Sequence, residues 1–506
     1  MLFNSYIFIF LFLPAALLGY FLWNRLKHYE MAKWFLTAMS LWFYAYFNIS
    51  YLGIILVSIA LNYLCHILLL KRIHSKAILA GSILGNLAIL FYFKYFSFLI
   101  ENINGLFHIN SMVPEILLPL GISFFTFQQI GFLADTARGS VSRQSITDYA
   151  LFVTFFPQLI AGPIVSHEEM LPQFQDISKK RFRFDNFYMG LRIFVLGLAK
   201  KVLLADTFGI AANWGFQHYA SLDSLNTFLV ILSYTFQIYL DFSGYCDMAR
   251  GLGLMFNIRI AVNFLSPYKA ANIIEFWDRW HITLSRFFTR YLYIPLGGSR
   301  RGMLRTYTNV MIVFLCSGIW HGAGWTYLLW GFMHGFLNIL THIWLKAKEA
   351  LKHGHPSPSS AASPIWKKRL LRGISVFFTF LFILCTMTVF RADTIGQAFQ
   401  MLKNLITPSA AMHAFNIHKE ISGAFQLPEI FYVLKFFKLD TLPFGSCYCM
   451  FLFLLVAFFL IFCCKNLSET EENHKPRTAG TIGLSALFVW CVLSFSGVST
   501  FLYFNF

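Results

Sequence analysis

Apolar runs of about twenty residues recur along the whole of this 506-residue sequence. That pattern excludes nearly every soluble architecture. A helix rises about 1.5 Å per residue, so roughly 20 apolar residues match the ~30 Å hydrocarbon core of a bilayer. Candidate spans fall at 3–23, 32–48, 50–70, 77–99, 116–134, 187–205, 226–246, 307–320, 324–345, 372–391, 447–464 and 480–498. Charged residues make up only 12% of the chain, where a soluble domain carries about a quarter. The expected fold is all-α: a polytopic membrane protein with about 11–12 transmembrane helices. The first run, through Trp23, follows no basic segment and shows no small-residue cleavage site. It reads as a span and not as a removed signal.

A formal net charge of +17 could suggest nucleic acid, but no nucleic-acid motif accompanies it. The basic residues flank the spans instead: Arg25, Lys27 and Lys33, then Lys71, Arg72 and Lys76, then Arg138 and Arg143, and a group between 346 and 372. Placing these in the cytoplasm puts the N-terminus outside. The nine cysteines lie mostly in apolar runs and show no spaced zinc-ligand pairs, so no metal is expected. The chain reads as one membrane domain over 1–506. Within it lie a motif-dense core at 150–335, a cytoplasmic linker at 346–372 around Pro356 and Pro364, and an extracytoplasmic loop at 392–446.

Two segments are poor crossing helices. Residues 149–166 are apolar but interrupted by Pro157, Gly162 and Pro163, with basic loops on both sides. They read as re-entrant, because irregular backbone at membrane depth survives only inside protein or around a cavity. Residues 272–296 open with a capping pattern, Asn272 to Glu275, and carry Asp278, Arg279, His281, Arg286 and Arg290. Such a helix is expected half-buried near the cytoplasmic face.

Chemistry concentrates on the histidines. His321 lies at a glycine-rich break between two apolar runs, in Ser317-Gly-Ile-Trp-His-Gly322. A polar ring at that depth needs a partner or a task. His281 follows Trp280. Asp241 stands in Asp241-Phe-Ser-Gly-Tyr245, where a buried ion pair with an arginine is the expected role. His334 follows His321 by thirteen residues, about 20 Å along a continuous helix, and so is expected outside the reacting set. Glycines 318, 322 and 324 are expected to let backbone and substrate approach closely, and Trp320 and Trp325 to wall the site.

Taken in order, Gln158-Leu-Ile-Ala-Gly-Pro163, Asp241-Phe-Ser-Gly-Tyr245, Trp280-His-Ile-Thr-Leu-Ser285, Trp320-His-Gly322 and the aromatic ending Phe501–Phe506 resemble the membrane-bound O-acyltransferases. The likeness is greatest to the bacterial branch that acetylates alginate or peptidoglycan or D-alanylates teichoic acid. The resemblance implies a core of helices around a central tunnel, with His321 as catalytic histidine and His281 as the second. Asp241, Trp280, Trp320 and Gly322 are candidate supporting residues. It also implies a cytoplasmic acyl thioester donor such as acetyl-CoA, with no bound cofactor, and an acceptor polysaccharide outside, reached directly or through a periplasmic relay protein. Membrane lipids are the surroundings, and the bacterial inner membrane the location. The sequence departs from the family pattern at Phe287-Phe-Thr-Arg290-Tyr291 and Asp278-Arg279-Trp280-His281, so donor contacts do not carry over to Arg290 or Asp278. Transfer to a hydroxyl needs a base, and an imidazole with an unperturbed pKa near 6.5 suits that task. D-alanyl transfer to teichoic acid, and a membrane transporter using deep histidines, are the alternative readings.

Overall fold

The structure is a computed structural model that describes residues 1–72, 74–354, 364–407, 416–439, 445–470, 478–497 and 502. It is helical throughout, with no strand among the described residues. The N-terminal part holds α1 (Leu13–Arg25), α2 (Tyr29–Ala45), α3 (Ser50–Leu70), α4 (Ser75–Phe107) and α5 (Ile122–Ala137). Five helices among the described residues are long and apolar enough to cross a bilayer: Phe8–Arg25, Ser50–Leu70, Ser75–Phe107, Trp325–Leu351 and Ile365–Arg391. The other expected spans are helical too, but shorter, more polar or more deeply enclosed.

Segment 149–166 is broken as its prolines and glycine suggest. Helix α6 (Ile146–Thr154) ends at Phe155, whose extended ψ of 107° turns the chain into the single turn α7 (Phe156–Leu159). The segment is almost wholly buried in protein. Helix α8 (His167–Gln175) then starts from a capping box between Ser166 and Glu169.

The core is organised around α9 (Phe184–Ala199), α10 (Asp206–Gln217) and α11 (Ser224–Met255). Helix α11 is enclosed on every side over nearly its whole length, which explains its lack of an amphipathic stripe. It meets α9 at two matched glycine pairs. A Cβ on Gly197 would lie 2.7 Å from the Gly244 carbonyl oxygen, and one on Gly190 would lie 2.5 Å from the Gly251 oxygen. The pairs recur at seven-residue spacing on both helices, so two backbones run in contact for two helical turns. Lys201, just after α9, bridges Asp206 at 2.6 Å and Asp241 at 2.7 Å.

Segment 272–296 is not one helix. It forms α12 (Ile273–Arg279), a break at Trp280–His281, α13 (Ile282–Phe288) and a π-helical turn Thr289–Tyr293. Helices α14 (Met303–His321) and α15 (Trp325–Gly354) make a hairpin, and α16 (Ile365–Arg391) packs beside α15. The basic residues of 346–372 therefore sit on the ends of α15 and α16, while 355–363, with Pro356, lie outside the described residues. Within 392–446 the described parts include three helices, Ile395–Ile406, Lys419–Gly423 and Pro428–Phe436. Pro408, Pro443 and most of the aromatic ending lie outside the described residues.

Candidate active site

Helix α14 starts beside Arg300 and Arg301 and ends at His321 after 19 residues, about 28 Å along its axis. It crosses α15 closely because both carry glycine at the contact. A Cβ on Gly318 would lie 2.4 Å from the Tyr327 carbonyl oxygen, and one on Gly331 would lie 2.5 Å from that of Phe314. Gly318 thus gives the close backbone approach expected of it, at the contact between the two helices. Gly322 stops α14 in an extended conformation, with the Tyr327 ring where a side chain would project.

A helix end leaves its last carbonyls without intrahelical donors. Here α4 supplies them. Tyr95 donates its hydroxyl to the Ile319 oxygen at 2.8 Å. The Lys94 ammonium donates to the Trp320 oxygen at 2.6 Å and the His321 oxygen at 3.1 Å. Three consecutive carbonyls ending at His321 are therefore held from one neighbouring helix, one by a hydroxyl and two by a cation placed at the negative end of the helix dipole. Lys94 also sits 5.9 Å from the Trp320 ring centroid. No sequence motif singles out this lysine. Its signal is an ionisable residue within a long apolar helix.

His321 is buried, with ring contacts to Trp320 at 5.0 Å, Trp330 at 5.1 Å and Phe390 of α16 at 5.3 Å. His281 lies 5.9 Å from Trp320, so the two predicted histidines meet on one indole. His281 adopts a left-handed backbone, φ 46°, between α12 and α13, costly for a residue with a Cβ. Tethers to one loop hold it: Ile282 N–H donates to the Asn263 carbonyl at 3.1 Å, and Leu265 N–H donates to Arg279 O at 3.0 Å. The Asn263 side-chain oxygen accepts from the Thr283 N–H at 3.1 Å and lies 3.2 Å from His281 Nδ1. A backbone N–H can only donate, so that atom is an acceptor and His281 Nδ1 carries the hydrogen. The neutral ring then keeps Nε2 as its basic atom.

His334 is closer than helix arithmetic suggests. The chain reverses at Gly322–Gly324, and the His334 ring lies 4.7 Å from Trp330, which also touches His321. Trp277 Nε1 donates to His334 Nδ1 at 3.3 Å. That fixes the opposite tautomer from His281 and occupies the ring's acceptor.

The remaining candidates divide. Trp320 joins the histidines and lines a cavity. Trp280 packs among Tyr239, Phe264, Tyr268 and Phe276. Asp241 directs its oxygens to Lys201 at 2.7 Å and the Leu502 N–H at 2.9 Å, not to a histidine. Its partner is a lysine and not the expected arginine, so the buried pair forms within the α9–α11 core.

The space around the site is divided in two. An apolar cavity of about 780 Å³ lies between α4 and the α14–α15 turn, bounded by Trp320, Gly322 and Trp325. A polar cavity of about 250 Å³ opens beside His167, Glu168, Arg286 and Arg290. Phe127 and Phe287, stacked at 4.4 Å, line both. At the polar cavity Arg290 bridges Glu168 at 2.7 Å and Asp135 at 2.9 Å. Tyr291 donates to Asp135 at 2.6 Å. The hydrogen bond from Arg290 holds the Glu168 carboxyl below its usual range. Asp135, His167 and Glu168 are close enough to face one ion, but guanidinium and phenol groups already take up the carboxylates.

Comparison with known proteins gives consistent matches. A family model described as the membrane-bound O-acyltransferase family matches residues 133–351. The peptidoglycan O-acetyltransferase of Helicobacter pylori is 37% identical over 100% of this chain and 98% of its own length. A probable alginate O-acetylase of Pseudomonas putida is 33% identical over all of both chains. A teichoic acid D-alanyltransferase of Streptococcus thermophilus is 25% identical over 54% of this chain and 68% of its own.

Proposed function

Because the chain belongs to the membrane-bound O-acyltransferase family, we propose that it moves acetyl groups from a cytoplasmic thioester to hydroxyls of an extracytoplasmic polysaccharide, with His321 as general base. It is a multi-pass membrane enzyme, an O-acyltransferase, and the transporter alternative falls with that assignment. The observation that carries the proposal is the placement of His321: buried at the last position of a helix whose end is clamped, between Trp320 and Gly322 that line a cavity, with His281 on the same indole.

In the proposed reaction His321 takes the acceptor hydroxyl proton, the oxygen attacks the thioester carbonyl, and the thiol leaves with a proton. His281, with Nε2 basic and Nδ1 held by Asn263, positions the thioester or steadies developing charge. The surrounding rings exclude water, which would otherwise hydrolyse the thioester. The donor approaches from the face bearing Arg138, Arg143 and Lys179, the cytoplasmic face of the inner membrane under the positive-inside rule. The glycan of peptidoglycan is the first acceptor to test, since the Helicobacter relative is 37% identical against 33% for the alginate relative, both over the full length. Alginate is the second. The acetyl group passes to the glycan directly or through a periplasmic relay protein. D-alanyl transfer is less supported, because the teichoic acid relative covers half the chain.

The test is mass analysis of envelope glycans from cells with the wild type, with His321→Ala, and without the protein. Glycan O-acetylation should fall to the level of the null strain in His321→Ala at unchanged protein abundance. Retained acetylation would remove His321 from the base role. An unaltered glycan in the null strain would remove the acceptor assignment.

A further inference from the structure

A groove of about 920 Å³ lies between α1, the residues around 177–182 and α9. Its apolar wall is built by Leu13, Leu17 and Phe21 of α1 together with Phe187 and Leu191 of α9. Its polar end holds Arg25, Lys27, Lys180 and Arg181 and no acidic residue. Arg25, Lys27 and Arg181 are exposed. Glu30, the carboxylate nearest in sequence to α1, does not serve them: it pairs with Lys33 at 2.8 Å, and Asp148 pairs with the same lysine at 2.7 Å. The Lys180 ammonium is anchored on the Phe174 carbonyl at 2.6 Å. The groove thus presents three cations without a carboxylate partner among the described residues.

The dimensions match one class of ligand. From Leu13 to Leu22 the helix advances about 14 Å, and the hydrocarbon of one leaflet is about 15 Å thick. The cations begin one turn further on, where a headgroup lies. A free phosphate would use the cations and leave the apolar wall unfilled. A neutral acyl chain would do the reverse. A third observation selects among phospholipids. Asn24 lines the groove and is buried, its amide donates to the Tyr20 carbonyl at 2.9 Å, and its side-chain oxygen has no donor among the described residues. A glycerol headgroup supplies that donor without bringing a further positive charge among Arg25, Lys27 and Arg181, as an ammonium headgroup would.

We propose that this groove is a binding site for an anionic, hydroxyl-bearing phospholipid of the phosphatidylglycerol type. Its phosphate sits among Arg25, Lys27 and Arg181, its glycerol headgroup against Asn24, and one acyl chain along α1 and α9. The ligand belongs to the leaflet that the basic face enters, and it ties α1 to the core helix α9. The site is independent of the histidines and of the acetyl-transfer reading.

The test uses the full chain in nanodiscs of equal parts dioleoyl phosphatidylglycerol and dioleoyl phosphatidylethanolamine. Native mass spectrometry after release reads the lipid retained. Wild type should retain the glycerol lipid with a preference on the order of tenfold. Arg25→Gln/Lys27→Gln/Arg181→Gln should bring the ratio near unity. Asn24→Leu, which leaves the cations in place, should lower it several-fold. Millimolar inorganic phosphate should not displace the lipid. Equal retention of both lipids by the wild type, which needs no variant to fold, overturns the proposal. So does an undiminished preference in the triple variant. Displacement by phosphate alone would make this a free-anion site and would also overturn it.

Discussion

At the scale of single residues, the lysine that holds the end of α14 makes the sharpest claim. Removing the ammonium in Lys94→Met leaves the Trp320 and His321 carbonyls buried with fewer donors. Each charge-assisted hydrogen bond of this kind contributes about 1.5–3 kcal/mol. If that energy positions His321, kcat should drop by about tenfold or more while KM for the acetyl donor changes little. Lys94→Arg should recover part of the rate, because a guanidinium also donates to carbonyls. Steady-state acetyl transfer by the purified protein checks this. A fall in protein yield alone, with normal kcat, would assign Lys94 to stability only. His321 and His281 are legible in the sequence because each carries a local motif. Lys94 is not, because its partners lie 226 and 227 residues away and become neighbours only when α4 packs against the end of α14. The thirteen residues from His321 to His334 do not set their separation, for a related reason. Residue spacing converts to distance only while a helix continues, and Gly322 ends one.

At the scale of helices, the contact between α9 and α11 depends on missing methyl groups. Gly197→Ala places a Cβ 2.7 Å from the Gly244 oxygen and 2.9 Å from the Met248 nitrogen, both backbone atoms. Overpacking of this kind costs about 1–3 kcal/mol, so thermal unfolding in detergent should occur several degrees lower. Gly53→Ala in α3 is the matched control. Nothing lies within 4 Å of its Cβ, and alanine is a better helix former by about 1 kcal/mol, so its midpoint should hold or rise. Similar midpoints for the two variants would mean that the helices can separate at no cost. Existence of the long helices was legible from run length alone. The breaks at Phe155 and at His281 were less so. Pro157 and Gly162 announce the first, but the second falls at a histidine with no glycine or proline beside it. It is imposed by tethers to the 263–265 loop.

At the scale of the whole molecule, the chain keeps an apolar interior that encloses its ion pairs and histidines, and presents leucine and phenylalanine outward as well. Leu18, Leu84, Phe377 and Leu455 are among its exposed side chains. That apolar exterior is what a bilayer solvent requires, and composition foretold it. The assembly of the site did not follow from composition. It joins α4, the 263–282 loop, the α14–α15 turn and α16, so it exists only in the complete fold. Helix α4 links that site to its surroundings. Its 33 residues extend about 50 Å, well beyond the ~30 Å of hydrocarbon, and few of its side chains are enclosed by protein. Its apolar part, residues 77–99, is about 34 Å long, close to that thickness, and such a helix answers a thinner or thicker membrane by changing tilt. Since Lys94 and Tyr95 ride on α4 and grip the backbone at residues 319–321, bilayer thickness becomes a mechanical input to the geometry around His321. Acetyl transfer in vesicles of graded acyl-chain length should peak at one thickness and fall several-fold on either side, and the Lys94→Met variant should show a flatter profile.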